Sequence, residues 1–171
     1  MSNYEQAENP NTPAYRLAEL AEDERRYIRY EVVWNPSAPA SALIKLSKEQ
    51  DEGIRQGVAW NPNTPANVLA EFATSWNADI RYRVAWNPSS PVEVLAKLAN
   101  DDDVKVRQGI AWNPNTPIEI ITKLALDTNI SVRYQLSQNP NCPEALKMWL
   151  KAGGYAGLSL AEFMAGTQET P

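Results

Sequence analysis

The chain has 171 residues, a formal net charge of −5, no histidine and a single cysteine, Cys142. Without histidine it lacks the usual general base near neutral pH and the usual zinc ligand, one cysteine cannot form an internal disulfide, and a mildly acidic balance offers little to a phosphate backbone. Hydrophobic content of 43% is ordinary for a folded domain and no apolar run approaches the roughly 20 residues of a membrane span, so a folded cytoplasmic chain without metal or cofactor is expected.

Residues 1–8 (MSNYEQAE) show neither the basic region nor the apolar stretch of a secretory signal and are expected to be frayed. From there the dipeptide Asn-Pro recurs at Asn9, Asn35, Asn61, Asn87, Asn113 and Asn139, always 26 residues apart. A fixed period of this length marks stacked repeats. It divides the chain into units 9–34, 35–60, 61–86, 87–112 and 113–138. A partial sixth unit with a C-terminal cap follows over 139–166, and then a tail at 167–171.

Each unit predicts two short helices of about 8–11 residues. In the third, Val68, Leu69, Phe72 and Ala73 recur at helical spacing, with Thr64 placed to cap the start and Pro65 at the first helical position. Ser90 with Glu93, and Thr116 with Glu119, have the spacing of capping boxes. The second helix is announced by Asp51, Asn77, Asp103 and Asn129, all good N-cap residues at one position. Its buried stripe is Ile54, Ile80, Val106 and Val132, then Val58, Val84, Ile110 and Leu136 four residues on. It ends at Trp-Asn-Pro, because the residue before proline avoids the α region. No stretch alternates with period two, so no sheet is expected. Such helices are too short to stand alone in water, and burial between neighbours must hold them. Leu17, Leu43, Leu69, Leu95 and Ile121 supply one rung per unit.

Three polar or aromatic columns repeat alongside. Asn35, Asn61, Asn87 and Asn113 are expected to satisfy turn backbone groups. Trp34, Trp60, Trp86 and Trp112 form an aromatic column, and Arg29, Arg55, Arg81, Arg107 and Arg133 a cationic one. Both can serve as ligand ladders, but stacking of rings and arginine on carbonyls or ring faces is the favoured reading. The tryptophan column stops at Gln138, where a terminal cap is expected, with Trp149 filling the vacated place. A weaker double period also runs through the chain. Tyr30, Gln56, Tyr82, Gln108 and Tyr134 alternate at one position, and Glu31, Gly57, Arg83, Gly109 and Gln135 occupy the next. Either tyrosine packs into the space left by glycine in the next unit, which is the favoured reading, or tyrosines form a recognition surface at alternate units. Toward the end, residues 143–152 read as a further helix stopped by Gly153-Gly154. Ser159 to Glu162 opens a last short helix, with Phe163 and Met164 placed to cover the final unit.

The recurring string AWNPNTP, followed by leucine pairs and Val/Ile-Arg pairs, resembles the leucine-rich repeat variant (LRV) family, a helical group similar in appearance to HEAT-like repeats. The resemblance runs from residue 9 to about residue 143. It implies an all-α, right-handed solenoid (superhelix) of two-helix repeats, with the second helix α or in part 3₁₀. The cysteine cluster of an iron–sulfur member is missing, so no cofactor carries over, and the family offers no catalytic motif. The function expected is therefore a non-enzymatic protein-binding or scaffold role with one protein partner. Two alternatives stand beside it: an acidic inhibitor or immunity-type protein blocking a basic partner, and a HEAT-like nucleic-acid binder, which the charge disfavours. The candidate binding residues are Tyr27, Tyr30, Tyr82, Arg83 and Tyr134, on the exposed side of the second helices; no residue is proposed as catalytic or metal-binding, and the oligomeric state is open.

Overall fold

The computed structural model describes residues 1–153 and Glu162. Among them the chain is all-α, with twelve helices and no strand. In chain order the first are α1 (Asn3–Glu8), α2 (Ala14–Leu20), α3 (Arg26–Trp34), α4 (Ala40–Leu46), α5 (Glu52–Trp60) and α6 (Ala66–Phe72). They are followed by α7 (Ala78–Trp86), α8 (Val92–Leu98), α9 (Val104–Trp112), α10 (Ile118–Leu124), α11 (Ile130–Ser137) and α12 (Glu144–Lys151). From α2 to α9 the helices alternate between 7 and 9 residues, at the short end of the expected length or just below it. Both helices of each unit are α-helical.

The longer helices begin where the sequence places them. The Asp51 carboxylate accepts from the Ile54 N–H at 3.0 Å and Asn77 Oδ1 from the Asp79 N–H at 2.8 Å. Asp103 and Asn129 accept in the same way from Lys105 and Ser131 at 2.7 and 2.8 Å. Each cap satisfies a backbone donor that the helix itself cannot. Helices α3, α5, α7 and α9 stop at tryptophan, and the following asparagine is extended, as at Asn61 with φ −66° and ψ 127°.

The shorter helices begin differently from the expectation. Pro65, Pro91 and Pro117 are extended residues just outside α6, α8 and α10, which start at Ala66, Val92 and Ile118. Thr64, Ser90 and Thr116 do not cap them, and the capping boxes with Glu93 and Glu119 do not form. Their hydroxyls instead donate to the carbonyls of Val58, Val84 and Ile110, six residues earlier, at 2.5, 2.6 and 2.7 Å. Proline is the reason. A continued helix would bring those carbonyls the N–H of residue 62, 88 or 114, and Pro62, Pro88 and Pro114 have none. The hydroxyl replaces the missing donor, and Thr12 does the same for Gln6 at 2.5 Å. Unit 35–60 has the buried Ala38 at this place and no hydroxyl to offer.

One continuous core runs through the helices. Leu17, Leu43, Leu69, Leu95 and Ile121 are buried, as are Ile54, Ile80, Val106 and Val132 on the longer helices. The longer helices lie against one another in chain order: α3 on α5, α5 on α7, α7 on α9 and α9 on α11. Both ends of this row are covered. Residues 1–8, expected to be frayed, contain α1, which lies on α3. Ser2 and Glu5 form a reciprocal capping box at its start, and Ala7 is fully buried. At the other end α12 lies on α11 and buries Leu146 and Trp149. Gly153, at φ +97°, takes the left-handed conformation that ends a helix. The expected helix from Ser159 to Met164, Glu162 apart, lies outside the described residues, as does the tail. Cys142 is buried, and its thiol is pushed up mainly by that burial.

Candidate functional site

The asparagine column does more than close turns. Asn87 Oδ1 accepts from the Ser89 N–H at 2.8 Å, a local turn bond. Its Nδ2 donates to the carbonyls of Ala59 and Asn61, 28 and 26 residues earlier, both at 2.8 Å. Asn35, Asn61, Asn113 and Asn139 repeat the pattern, so each asparagine ties its unit to the one before. The residue two places on adds another tie. Ser37, Asn63, Ser89 and Asn115 donate to the carbonyls of Pro10, Pro36, Pro62 and Pro88 at 2.6 to 2.7 Å. Serine and asparagine alternate here because both carry a donor that reaches the same carbonyl.

The arginine column is likewise bound into the structure. Arg29, Arg55, Arg81, Arg107 and Arg133 each donate to a carbonyl six residues earlier, at 2.6 to 2.8 Å. Arg29, Arg81 and Arg107 also hold a carboxylate 20 residues later, in Glu49, Asp101 and Asp127. Burial alone would raise the Asp101 and Asp127 carboxyls. Hydrogen bonds from arginine and from the Asp103 and Asn129 N–H groups, together with the arginine charges, outweigh it and hold both below the usual carboxylate range.

The tryptophan column and the alternating position meet along the longer helices, where Trp60 is 39% exposed and Trp34, Trp86, Trp112, Tyr30 and Tyr82 are half-buried. Trp60 and Trp86 have ring centroids 5.9 Å apart, and Trp86 and Trp112 5.6 Å apart. Tyr30 lies 6.1 Å from Trp34 and Tyr82 stands edge-on to Trp86 at 6.4 Å, so these two candidate residues join the column. Tyr27, half exposed, pairs instead with Tyr4 at 6.1 Å at the amino end of the row. Tyr134, 66% exposed, stands apart at the other end. Between α7 and α9, Tyr82, Trp86, Lys105, Gln108 and their neighbours line an open hollow of about 390 Å³.

Arg83 sits at the centre. Its Cζ lies 5.4 Å from the Trp34 ring and 6.0 Å from the Trp60 ring, within cation–π range of both. Trp34 is on α3 and Arg83 on α7, so the guanidinium spans α5, where Gly57 carries no side chain. Glycine is required there for a second reason: a Cβ on Gly57 would come within 2.3 Å of Val33 Cγ2 and 3.2 Å of Trp34 Nε1. At Gly109 the crowding comes from Ala85 at 2.8 Å and Trp86 at 3.1 Å. The space opposite these glycines is thus taken by the preceding helix's tryptophan and its small apolar neighbour, and not by the tyrosine ring that the sequence suggested. At the amino end, Glu31 is half-buried; burial first, and then the charge of Glu8, raise its carboxyl.

Tyr4 and Gly57 were not among the candidate residues, although Tyr4 precedes Tyr30 by one full period. Among the described residues no three His, Cys, Asp or Glu side chains gather to hold a metal ion, and no helix is long and apolar enough to cross a membrane. Comparison with protein-family models, with curated proteins and with solved structures found no match in any of the three.

Proposed function

We propose that this chain is a non-enzymatic protein-binding scaffold, a right-handed α-solenoid of 26-residue units similar in plan to leucine-rich repeat variant proteins, with the outer side of α3, α5, α7 and α9 as its binding face. The observation that carries this reading is the aromatic row itself. Tryptophan, tyrosine and arginine are the side chains that dominate binding energy at protein interfaces, because they offer large rigid contact area at a small entropic cost. Here they are concentrated on one side, held in register by hydrogen-bonded turns, while asparagine and the other arginines are occupied with the fold.

A crosslinked pull-down from the native host, with the intact chain as bait, tests the reading. The expected result is a discrete protein partner that is lost when Trp60 is replaced by alanine, with helicity and melting temperature retained. A partner retained equally by Trp60→Ala and Tyr82→Ala, or no protein recovered at all, refutes it.

A further inference from the structure

Arginines on the longer helices have fixed partners with one exception. Arg29, Arg81 and Arg107 each hold a carboxylate, Arg26 pairs with Asp51, and Arg55 and Arg133 bind carbonyls. Arg83 makes no hydrogen bond or ion pair among the described residues. Its Nε is buried without an acceptor, and so is the indole Nε1 of Trp34, the ring on which its guanidinium lies. Two N–H donors thus lack acceptors at one spot, above the glycine of α5. Buried donors in native proteins nearly always have an acceptor, and an exception asks for an explanation.

The chain's own carboxylates do not provide it. Asp79, one turn before Arg83 on α7, is exposed and makes no ion pair among the described residues, its side chain accepting no bond while its N–H is taken by Asn77. Glu31 occupies the same position as Arg83 two helices away, and the influences on it are burial and Glu8. What Arg83 presents is a planar guanidinium held within cation–π range of two indoles. Fixing the fork in this way removes the rotamer entropy that a free arginine would lose on binding. A planar, pre-oriented fork matches a carboxylate, to which Nη1 and Nη2, not buried as Nε is, can donate two parallel hydrogen bonds.

We infer that the Trp34–Gly57–Trp60–Arg83 cluster is an anchor for one carboxylate of a partner protein, an aspartate or glutamate side chain in an extended segment whose apolar neighbours lie along the tryptophan row. This rests on the protein-binding role proposed for the same face and adds the partner's chemistry. A nucleic-acid phosphate is the less suitable oxyanion. Affinity for a polyanion rises with the number of phosphates neutralised, and this face offers Arg83, the exposed Lys105 and Arg26, the last already paired with Asp51, against Glu8, Glu31 and Asp79. A single carboxylate needs one fork.

The probe is a random-peptide phage library selected on the immobilised full chain. Enriched peptides are then synthesised and titrated by fluorescence, and the Trp34 indole N–H is followed by NMR and assigned with Trp34→Phe. The expected result is enriched peptides that share an Asp or Glu at a fixed place. Replacing that residue by its amide, or Arg83 by glutamine, weakens binding roughly tenfold to a hundredfold, the range of a charge-assisted hydrogen bond to an ionised group. Arg83→Lys recovers only part of the loss, and the Trp34 resonance shifts on binding only when the carboxylate is present. Because the amide peptide leaves the protein unchanged, the result does not depend on the folding of Arg83→Gln. Peptides that bind the face and are lost with Trp60→Ala, but that carry no fixed carboxylate or bind equally to Arg83→Gln, overturn the inference and leave the scaffold role standing. Absence of enriched peptides, or binding indifferent to Trp60→Ala, overturns both. Binding of a single-stranded DNA oligonucleotide that is abolished by Arg83→Gln and by added salt also overturns it.

Discussion

Replacing Asn87 by alanine removes three hydrogen bonds at once. Two run from Nδ2 to the Ala59 and Asn61 carbonyls, and one runs from the Ser89 N–H to Oδ1, all at 2.8 Å. The side chain is buried, so water does not take its place. Each bond contributes about 1 kcal/mol net, and a buried polar group left bare costs a further 1–3 kcal/mol or so, which gives a loss of about 4 kcal/mol. Asn9 holds the same place in the first unit. Among the described residues its side chain makes only the turn bond from the Asn11 N–H, at 2.9 Å, and its replacement by alanine should cost about 1 kcal/mol. Aspartate separates the two roles further. At position 9 it keeps the acceptor that the turn uses, whereas at position 87 it sets a carboxylate oxygen against two carbonyl oxygens. Asn87→Asp should therefore be at least as damaging as Asn87→Ala, and Asn9→Asp nearly silent. Urea denaturation followed by circular dichroism measures all four variants. Equal losses for Asn87→Ala and Asn9→Ala would show that the asparagine column only shapes turns and that the ties between units carry no stability.

Gly57→Ala places a Cβ 2.3 Å from Val33 Cγ2 and 3.0 Å from Val33 Cβ, so α3 and α5 must separate. Overpacking of this kind costs about 1–3 kcal/mol, more than the helix propensity of alanine returns, and the melting temperature should fall. Gly53→Ala on the same helix meets mainly the ends of the Asp51 and Arg26 side chains and Tyr30, at 3.2 to 3.4 Å, and should leave the melting temperature unchanged or higher; the opposite order would refute the packing account. Ala38→Ser offers the Val32 carbonyl the hydroxyl that Thr64, Ser90 and Thr116 supply in their own units. A gain of about 0.5–1.5 kcal/mol in urea denaturation is expected, and a loss would show that this turn has no room for the oxygen.

The boundaries of the longer helices and the core were legible because they rest on short-range rules. An N-cap such as Asp51 acts within three residues, and the burial of Ile54 and Val58 follows from one helix face. Thr64 misled because two short-range rules compete for one hydroxyl. Thr-Pro ahead of an apolar run reads as a cap, but the Val58 carbonyl, denied its i+4 donor by Pro62, takes the hydroxyl beside the Asn61 N–H. The ties made by Asn87 could not be read at all, since nothing local shows that a turn will rest against another turn 26 residues earlier. At the candidate face, Tyr30, Tyr82 and Arg83 were picked out as exposed positions of a helix. The contacts of Tyr30 with Trp34 and of Tyr82 with Trp86 follow from four-residue spacing on one helix, whereas the reach of Arg83 to Trp34 and Trp60 depends on how closely α3, α5 and α7 approach, which Gly57 sets from the neighbouring helix. Residues 1–8 were read as loose because the ends of a chain fray unless something ties them down. Docking on α3 supplies what the segment lacks, through Ala7 and through Asn35, which donates to the Ala7 carbonyl at 2.7 Å.

The asparagine ties also have a direction. Every one of them reaches toward the amino terminus, to carbonyls made 26 and 28 residues before it. On a ribosome, a newly emerged Asn-Pro finds its acceptors already outside the exit tunnel and waits for nothing still unmade. At about 5–20 residues per second a further 26 residues take a second or more, while a helix forms in about a microsecond. Growth of the chain and growth of its order can then keep step, each finished segment serving as the template on which the next one locks.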